Sequence, residues 1–176
     1  PDIIMVGEIR DSETMVMASS AALTGHLVLT TIHTNDAPST LTRFLEMNVE
    51  DFVVASTVNL VIAQRLIRKV CAECAKPKKL DKTLIKKIES RSDIMEALQK
   101  SGRDPVSALK QNFSQGKGCE VCMGTGYSGR CGIFELLELD KAVHDLVLEG
   151  ASSDRIKEAA YKNGFSDIIS DGLEKV

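Results

Sequence analysis

Apolar positions open this chain as two short uninterrupted runs and then fall into a helical rhythm. Residues 3–6 form one run, ending in Gly7-Glu8, and residues 27–32 form a second, ending at His33. Short apolar runs closed by polar residues predict buried strands. Between them, Asp11 or Ser12 can cap a helix reaching about Leu23, and Gly25 is placed to end it. The small residues Ala18, Ser19, Ser20, Ala21 and Ala22 predict close packing of that helix on a sheet. Asn35 or Asp36 opens another helix, with Pro38 tolerated in its first turn, and this helix should end near Asn48. Glu50-Asp51 starts the next, running through Phe52 and Ala55 towards Leu60.

Residues 61–70, VIAQRLIRKV, fit either a helix or a strand. The second half is read as strand, because residues 129–139, GRCGIFELLEL, offer a plausible antiparallel partner. The intervening residues then form an insertion at the tip of a hairpin. Beyond Asp140, Val143, Leu146 and Val147, then Ile156, Ala159 and Ala160, keep the spacing of two or three short helices. Ser152 or Ser153 caps the second and Gly164 separates it from the third. These helices read as a packing unit without chemistry of its own. The order predicts an α/β chain in three parts: 1–70, an insert over 71–128, and a returning strand with a helical unit over 129–176.

Composition narrows the class. With 176 residues, 43% hydrophobic and 27% charged, the chain can bury a sizeable core. No apolar stretch approaches the ~20 residues of a membrane span, and no signal peptide is apparent, which together predict a cytosolic chain. A net charge of −3 argues against a broad nucleic-acid surface. The basic cluster Arg65, Arg68, Lys69, Lys76, Lys78 and Lys79 is local, and reads as a solvated face or a partner contact.

Four of the five cysteines form two C-x-x-C pairs, Cys71/Cys74 and Cys119/Cys122. Each such pair supplies two thiolates from one tight turn, and two pairs suit a tetrahedral Zn²⁺. Redox dithiols or buried free thiols are the other readings, and neither explains why both pairs sit where the hairpin is interrupted. With four protein ligands the metal has no open position, so it is structural, and its binding is part of the folding free energy of the insert. Cys131 lies too far along the strand to complete either pair and reads as a small buried hydrophobe. Gly124-Thr125-Gly126-Tyr127-Ser128-Gly129 matches G-x-G-x-x-G, but it follows a cysteine pair and opens no helix. Those glycines read instead as tight backbone around the metal loop.

The two strand ends carry the candidate chemistry. In open α/β sheets, ligands bind at the carboxyl edge of the strands. Glu8 there can organise a Mg²⁺ shell, Gly7 leaves room for phosphate and metal, and His33 can donate a hydrogen bond to a terminal phosphate. No G-x-x-x-x-G-K-[ST] phosphate loop occurs in the chain. Either this is a carboxy-terminal piece of a longer nucleotide-hydrolysing protein, or the pattern of strand followed by Glu is ordinary sheet. His26, at the opposite end of the second strand, reads as structural or as a subunit contact, and His144 as surface. Arg10 is expected to pair with Asp11 or Glu13, or else to reach a neighbouring site. Thr30 and Thr31 could hydrogen-bond near the phosphates, one on each face of the strand.

The segments GEIRDSET, ALTGHLVLTTIHTNDAPST, AQRLIRKVCAEC and GCEVCMGTGYSGRCGIFELL occur in that order. Together they closely resemble the secretion ATPases of type II secretion and type IV pilus assembly, over most of residues 1–138. The resemblance implies the second half of a RecA-like P-loop NTPase core, with a tetracysteine metal insert and a carboxy-terminal helical unit. It implies that 2–10 is a Walker B segment and 25–35 a His box, with the phosphate loop and a further acidic box upstream. It also implies the hairpin pairing across the insert, and ATP, Mg²⁺ and Zn²⁺ as cofactors. A homo-hexamer working on platform or adaptor proteins at the cytoplasmic face of the bacterial inner membrane follows from the same resemblance. The tetracysteine insert sets the chain apart from retraction-type pilus ATPases, and VEDFVVASTVNLVIAQRL leans towards the pilus-assembly branch. The alternative is a zinc-stapled interaction module without catalysis.

Overall fold

A computed structural model describes residues 1–100 and 102–175. Strand β1 (Ile3–Val6) pairs in parallel with β2 (Leu27–Thr30), and helix α1 (Ser12–Leu23) connects them. The Asp11 carboxylate accepts the Thr14 N–H at 2.8 Å and so starts α1 as its cap. Gly25, at φ +97°, takes the left-handed turn that returns the chain to β2. The ladder proper stops at Thr30, short of the predicted 32. The Ile9 N–H still donates to the Thr31 carbonyl at 2.8 Å, so the two chains stay tied beyond the strand ends.

Helices α2 (Ala37–Glu46) and α3 (Asp51–Thr57) follow. Asp36 caps α2 through the Ser39 N–H at 2.8 Å, with Pro38 in the first turn as expected. Strand β3 occupies all of Leu60–Val70, so the whole ambiguous segment is strand and not its second half alone. Its partner is β6 (Tyr127–Glu138), as the hairpin reading expects. Beside the ladder, the Leu139 N–H donates to the Asn59 carbonyl at 3.0 Å.

Between these strands the chain is more ordered than its composition suggests. A single 3-10 turn (Ala72–Cys74) leads into β4 (Ala75–Lys79), which pairs antiparallel with β5 (Asn112–Gly116) in the register Ala75↔Gly116 to Lys79↔Asn112. Three helices fill the span between them: α4 (Lys82–Glu89), α5 (Ser92–Lys100) and α6 (Pro105–Leu109). Asp81 and Asp104 cap α4 and α6. The chain closes with α7 (Lys141–Leu148), α8 (Ser153–Lys162) and α9 (Ile168–Glu174). No helix among the described residues is long and apolar enough to cross a membrane.

The chain forms two compact units. The first comprises Pro1–Ala63 and Glu135–Ser166. Its core is made by α1, α2, α3, α7 and α8, with Leu41, Val54, Val143, Val147 and Ile156 fully buried. Ile4, Val6 and Val28 face inward at half burial, whereas Ile3, Met5, Leu27 and Leu29 stand exposed on the other side of the two-stranded sheet. The second unit comprises Gln64–Phe134 and the chain from Asp167 onward. There α5 packs on α9, and the Arg103 guanidinium donates to the Leu173 carbonyl at 3.2 Å. One of its buried clusters consists of cysteines alone.

These burial patterns predict unequal responses to truncation. Leu41→Ala should destabilise the first unit by about 2–5 kcal/mol, the range for emptying a closed core site. Met5→Ala, on the exposed face, should change it by under about 0.5 kcal/mol. Urea unfolding followed by helical circular dichroism distinguishes the two.

Candidate functional site

The parallel register decides which side chains meet at the carboxyl edge. Ile3 stands opposite Leu27 and Val6 opposite Thr30. The Thr31 hydroxyl donates to the Gly7 carbonyl at 2.8 Å, continuing the same offset. Glu8 therefore lies beside the end of the second strand, and its Oε1 sits 2.5 Å from His33 Nε2. The Glu8 side chain is 20% exposed and that of His33 is 90% exposed, so the pair is half wall and half open edge. This contact is close but poorly aligned, and Glu8 Oε1 is a buried oxygen without a hydrogen-bond donor among the described residues. A Cβ built on Gly7 would meet no atom within 4 Å, so open space lies in front of the strand end.

Arg10 differs from expectation. Its Nε donates to Glu8 Oε2 at 2.6 Å, and the guanidinium pairs with Glu8 instead of Asp11 or Glu13. The Asp11 carboxylate is already engaged as the cap of α1, which leaves Glu8 as the nearby acceptor. The Arg10 hydrogen bond is the main cause holding the Glu8 carboxyl below the usual carboxylate range, against desolvation, with further help from the charges of Arg10 and His33. Glu8 is thus kept ionised.

Of the remaining candidates, His26 and His144 fall away from this edge and Thr30 and Thr31 belong to it. The His26 ring is half-buried at the start of β2, with Nδ1 3.1 Å from both the Ala21 carbonyl and the Thr24 hydroxyl, closing the end of α1. Thr31 ties the edge together through Gly7, while the Thr30 hydroxyl lies 3.4 Å from the Thr31 carbonyl. His144 lies on α7, 3.5 Å from Asp145.

Sequence reading missed Glu135. It is only 2% exposed, and its Oε1 accepts the Ala37 N–H at 2.5 Å, at the start of α2 and four residues after His33. Glu135 shares its strand face with the fully buried Leu137. A carboxylate at an inward position of an alternating strand was the available signal.

The four cysteines converge. Their sulfurs all lie within 4.8 Å of one another, with Cys71–Cys119 at 3.8 Å, Cys74–Cys122 at 3.9 Å and Cys119–Cys122 at 3.6 Å. A tetrahedral Zn²⁺ with bonds of about 2.3 Å requires sulfur–sulfur edges of about 3.8 Å. These three edges match a tetrahedral Zn²⁺ site, and the four-thiol donor set fits that metal. The backbone N–H groups of Cys119 and Gly126 each point at Cys122 Sγ from 3.2 Å, and the Gly126 carbonyl accepts the Cys71 N–H at 3.0 Å. Gly126 stands at φ +76°, and a Cβ on Gly116 would collide with its carbonyl. Only glycines allow these two backbones to approach so closely, which agrees with reading G-x-G-x-x-G as metal-loop backbone. Cys131 lies outside the cluster and is half-buried, not fully buried as expected, because its strand position opens partly to solvent.

The thiols are not equivalent. At Cys122, desolvation raises the pKa but is outweighed by the N–H donors of Cys119 and Gly126 and by the neighbouring sulfurs, which bring it to about 6. At Cys74, desolvation dominates and pushes the thiol to about 11. Because Zn²⁺ is held by thiolates, zinc should be released progressively as pH falls, which a chromogenic chelator reads directly. Chelating the metal should also abolish hydrogen-exchange protection of β4 and β5 while leaving α2 and α7 protected. Unchanged protection of β4 and β5 would contradict a metal-dependent insert.

Residues 1–176, the whole chain, match the family described as type II/IV secretion system protein. The type IV pilus assembly ATPase PilB of Thermus thermophilus is 44% identical over 175 residues, which are 99% of this chain and 18% of that protein. The type II secretion system ATPase E of Vibrio cholerae is 38% identical over 176 residues, 100% of this chain and 32% of that protein. The chain thus spans less than a third of the length of either relative. Among solved structures, the Legionella pneumophila ATPase DotB superposes with a TM-score of 0.57 at 23% identity, over 99% of this chain and 34% of that one. The pilus retraction motor PilT with bound ADP gives a TM-score of 0.50 at 23% identity, over 100% and 40% respectively. At that identity the likeness is one of fold, and it bears out the partial α/β core. On the family match and on relatives that align along its entire length, this chain belongs to the type II/IV secretion system protein family.

Proposed function

We propose that the chain is the carboxy-terminal part of a hexameric, Mg²⁺-dependent ATPase. ATP hydrolysis would power type IV pilus assembly or type II protein secretion at the cytoplasmic face of the inner membrane, on platform or adaptor proteins. The observation that carries this reading is the meeting of Glu8 and His33 at the carboxyl edge of β1 and β2. Glu8 Oε1 is buried and meets His33 Nε2 without hydrogen-bond geometry, so the water of a hydrated cation would supply it with an aligned donor. The space before Gly7 admits phosphate and metal.

Each residue then has a defined task. Glu8, held ionised by Arg10, orients water around the cation. His33, 90% exposed beside Glu8, would donate a hydrogen bond to the terminal phosphate. Arg10 positions Glu8. Bound Mg²⁺ itself would neutralise charge on the phosphate oxygens. The exposed row Ile3, Met5, Leu27 and Leu29 supports a larger parent, since parallel sheets are normally covered on both faces. The names and 38–44% identity of the relatives support ATP as the substrate. The tetracysteine cluster staples the insert through Zn²⁺ and takes no part in hydrolysis.

Residues 1–176 alone should turn over ATP negligibly, since they contain no phosphate loop. A longer protein supplying that loop should hydrolyse ATP. There, Glu8→Gln should lower turnover by about 10–100-fold, the usual effect of removing an outer-shell metal partner, with zinc content and oligomer size retained. Turnover unaffected by Glu8→Gln would make Glu8 a structural residue, and a longer protein that never hydrolyses ATP would favour a zinc-stapled interaction module.

A further inference from the structure

Charge is distributed very unevenly along this chain. Residues 64–134 hold 15 Lys and Arg against 7 Asp and Glu, in a protein whose net charge is −3. The excess is densest at β4 and α4. There Lys76, Lys78, Lys79, Lys82, Lys86 and Lys87 are all exposed, and none enters an ion pair among the described residues. The one acid among them, Asp81, is occupied in capping α4. Strand β4 is exposed along its whole length, and Lys78 and Lys79 line a shallow depression beside it while Lys82, Lys86 and Lys87 line another on α4.

A second observation lies in the same unit. The turn that carries Cys119 and Cys122 lifts two apolar side chains into solvent: Val121 is 68% exposed and Met123 is 89% exposed. Met123 adopts φ +52°, and the Gly124 N–H donates to the Cys119 carbonyl at 2.9 Å, so the turn is held in shape from within. The basic ribbon starts directly from the metal ligands. Lys76 follows Cys74 by two residues, and Lys117 precedes Cys119 by two.

We propose that this unit docks on an anionic phospholipid bilayer, with the β4 and α4 lysines at the headgroups and Val121 and Met123 entering the interface. An acidic peptide lying along β4 and α4 would engage the lysines and leave Val121 and Met123 in water. A bilayer requires only spread positive charge and an apolar tip. The inference does not depend on ATP hydrolysis, so either reading can fail while the other stands.

The test uses the zinc-loaded chain and flotation with vesicles of phosphatidylcholine, with or without phosphatidylglycerol. The protein should float only with the anionic vesicles, and binding should weaken as salt rises. Each lysine at such a surface is worth roughly fivefold in affinity, so Lys78→Gln with Lys79→Gln should weaken binding by about 25-fold at unchanged zinc content. The chain has no tryptophan, so Val121→Trp provides a single reporter whose emission should shift to the blue on anionic vesicles. Equal flotation with neutral vesicles, or anionic binding without the blue shift, would overturn the proposal. So would capture by immobilised polyglutamate with no vesicle binding, which would point to an acidic protein surface instead.

Discussion

The parallel pairing of β1 with β2, at an offset of 24 residues, is the constraint on which the candidate site depends. Only four residue pairs form the ladder, yet Ile9–Thr31 and Thr31–Gly7 extend it past the strand ends. This extension is what holds Glu8 within reach of His33. A slip of one residue would turn the strand's inward side chains outward, and would separate the two polar groups as well. Helix α1 sets the return distance, with Asp11 and Gly25 as its fixed ends.

The two units solve the problem of stability differently. The first buries a continuous aliphatic core from five helices. The second includes a cluster made of cysteines alone, at the point where β4 and β5 leave the hairpin. A lysine-rich ribbon cannot bury itself, so four sulfurs at tetrahedral spacing do the work that apolar side chains do elsewhere. That economy leaves β4 and α4 free to carry unpaired positive charge.

Much of this was legible beforehand because local signals and tertiary packing agreed. The caps Asp11 and Asp36, the Gly25 exit, the β3–β6 partnership and the convergence of Cys71, Cys74, Cys119 and Cys122 all followed from residue type and spacing. The strands β4 and β5 were not legible, since AKPKK and NFSQG lack both alternation and apolar content. Their pairing is imposed by the cysteine cluster, which long-range geometry alone reveals. Arg10 was misjudged because its local acids looked equivalent, whereas capping had already claimed Asp11. Glu135 was overlooked because its partner, the Ala37 N–H, lies 98 residues away.

The central claim is that Glu8 and His33 act as one site, and a double-mutant cycle tests it most directly. ATP turnover of the longer protein would be measured for Glu8→Gln, His33→Ala and the pair, with zinc content and oligomer size checked for each. If the two residues serve a single phosphate and metal site, the double variant should be about as impaired as the worse single variant. Losses that simply multiply would mean that the two groups act independently, and that their meeting at the strand edge is not the origin of the activity.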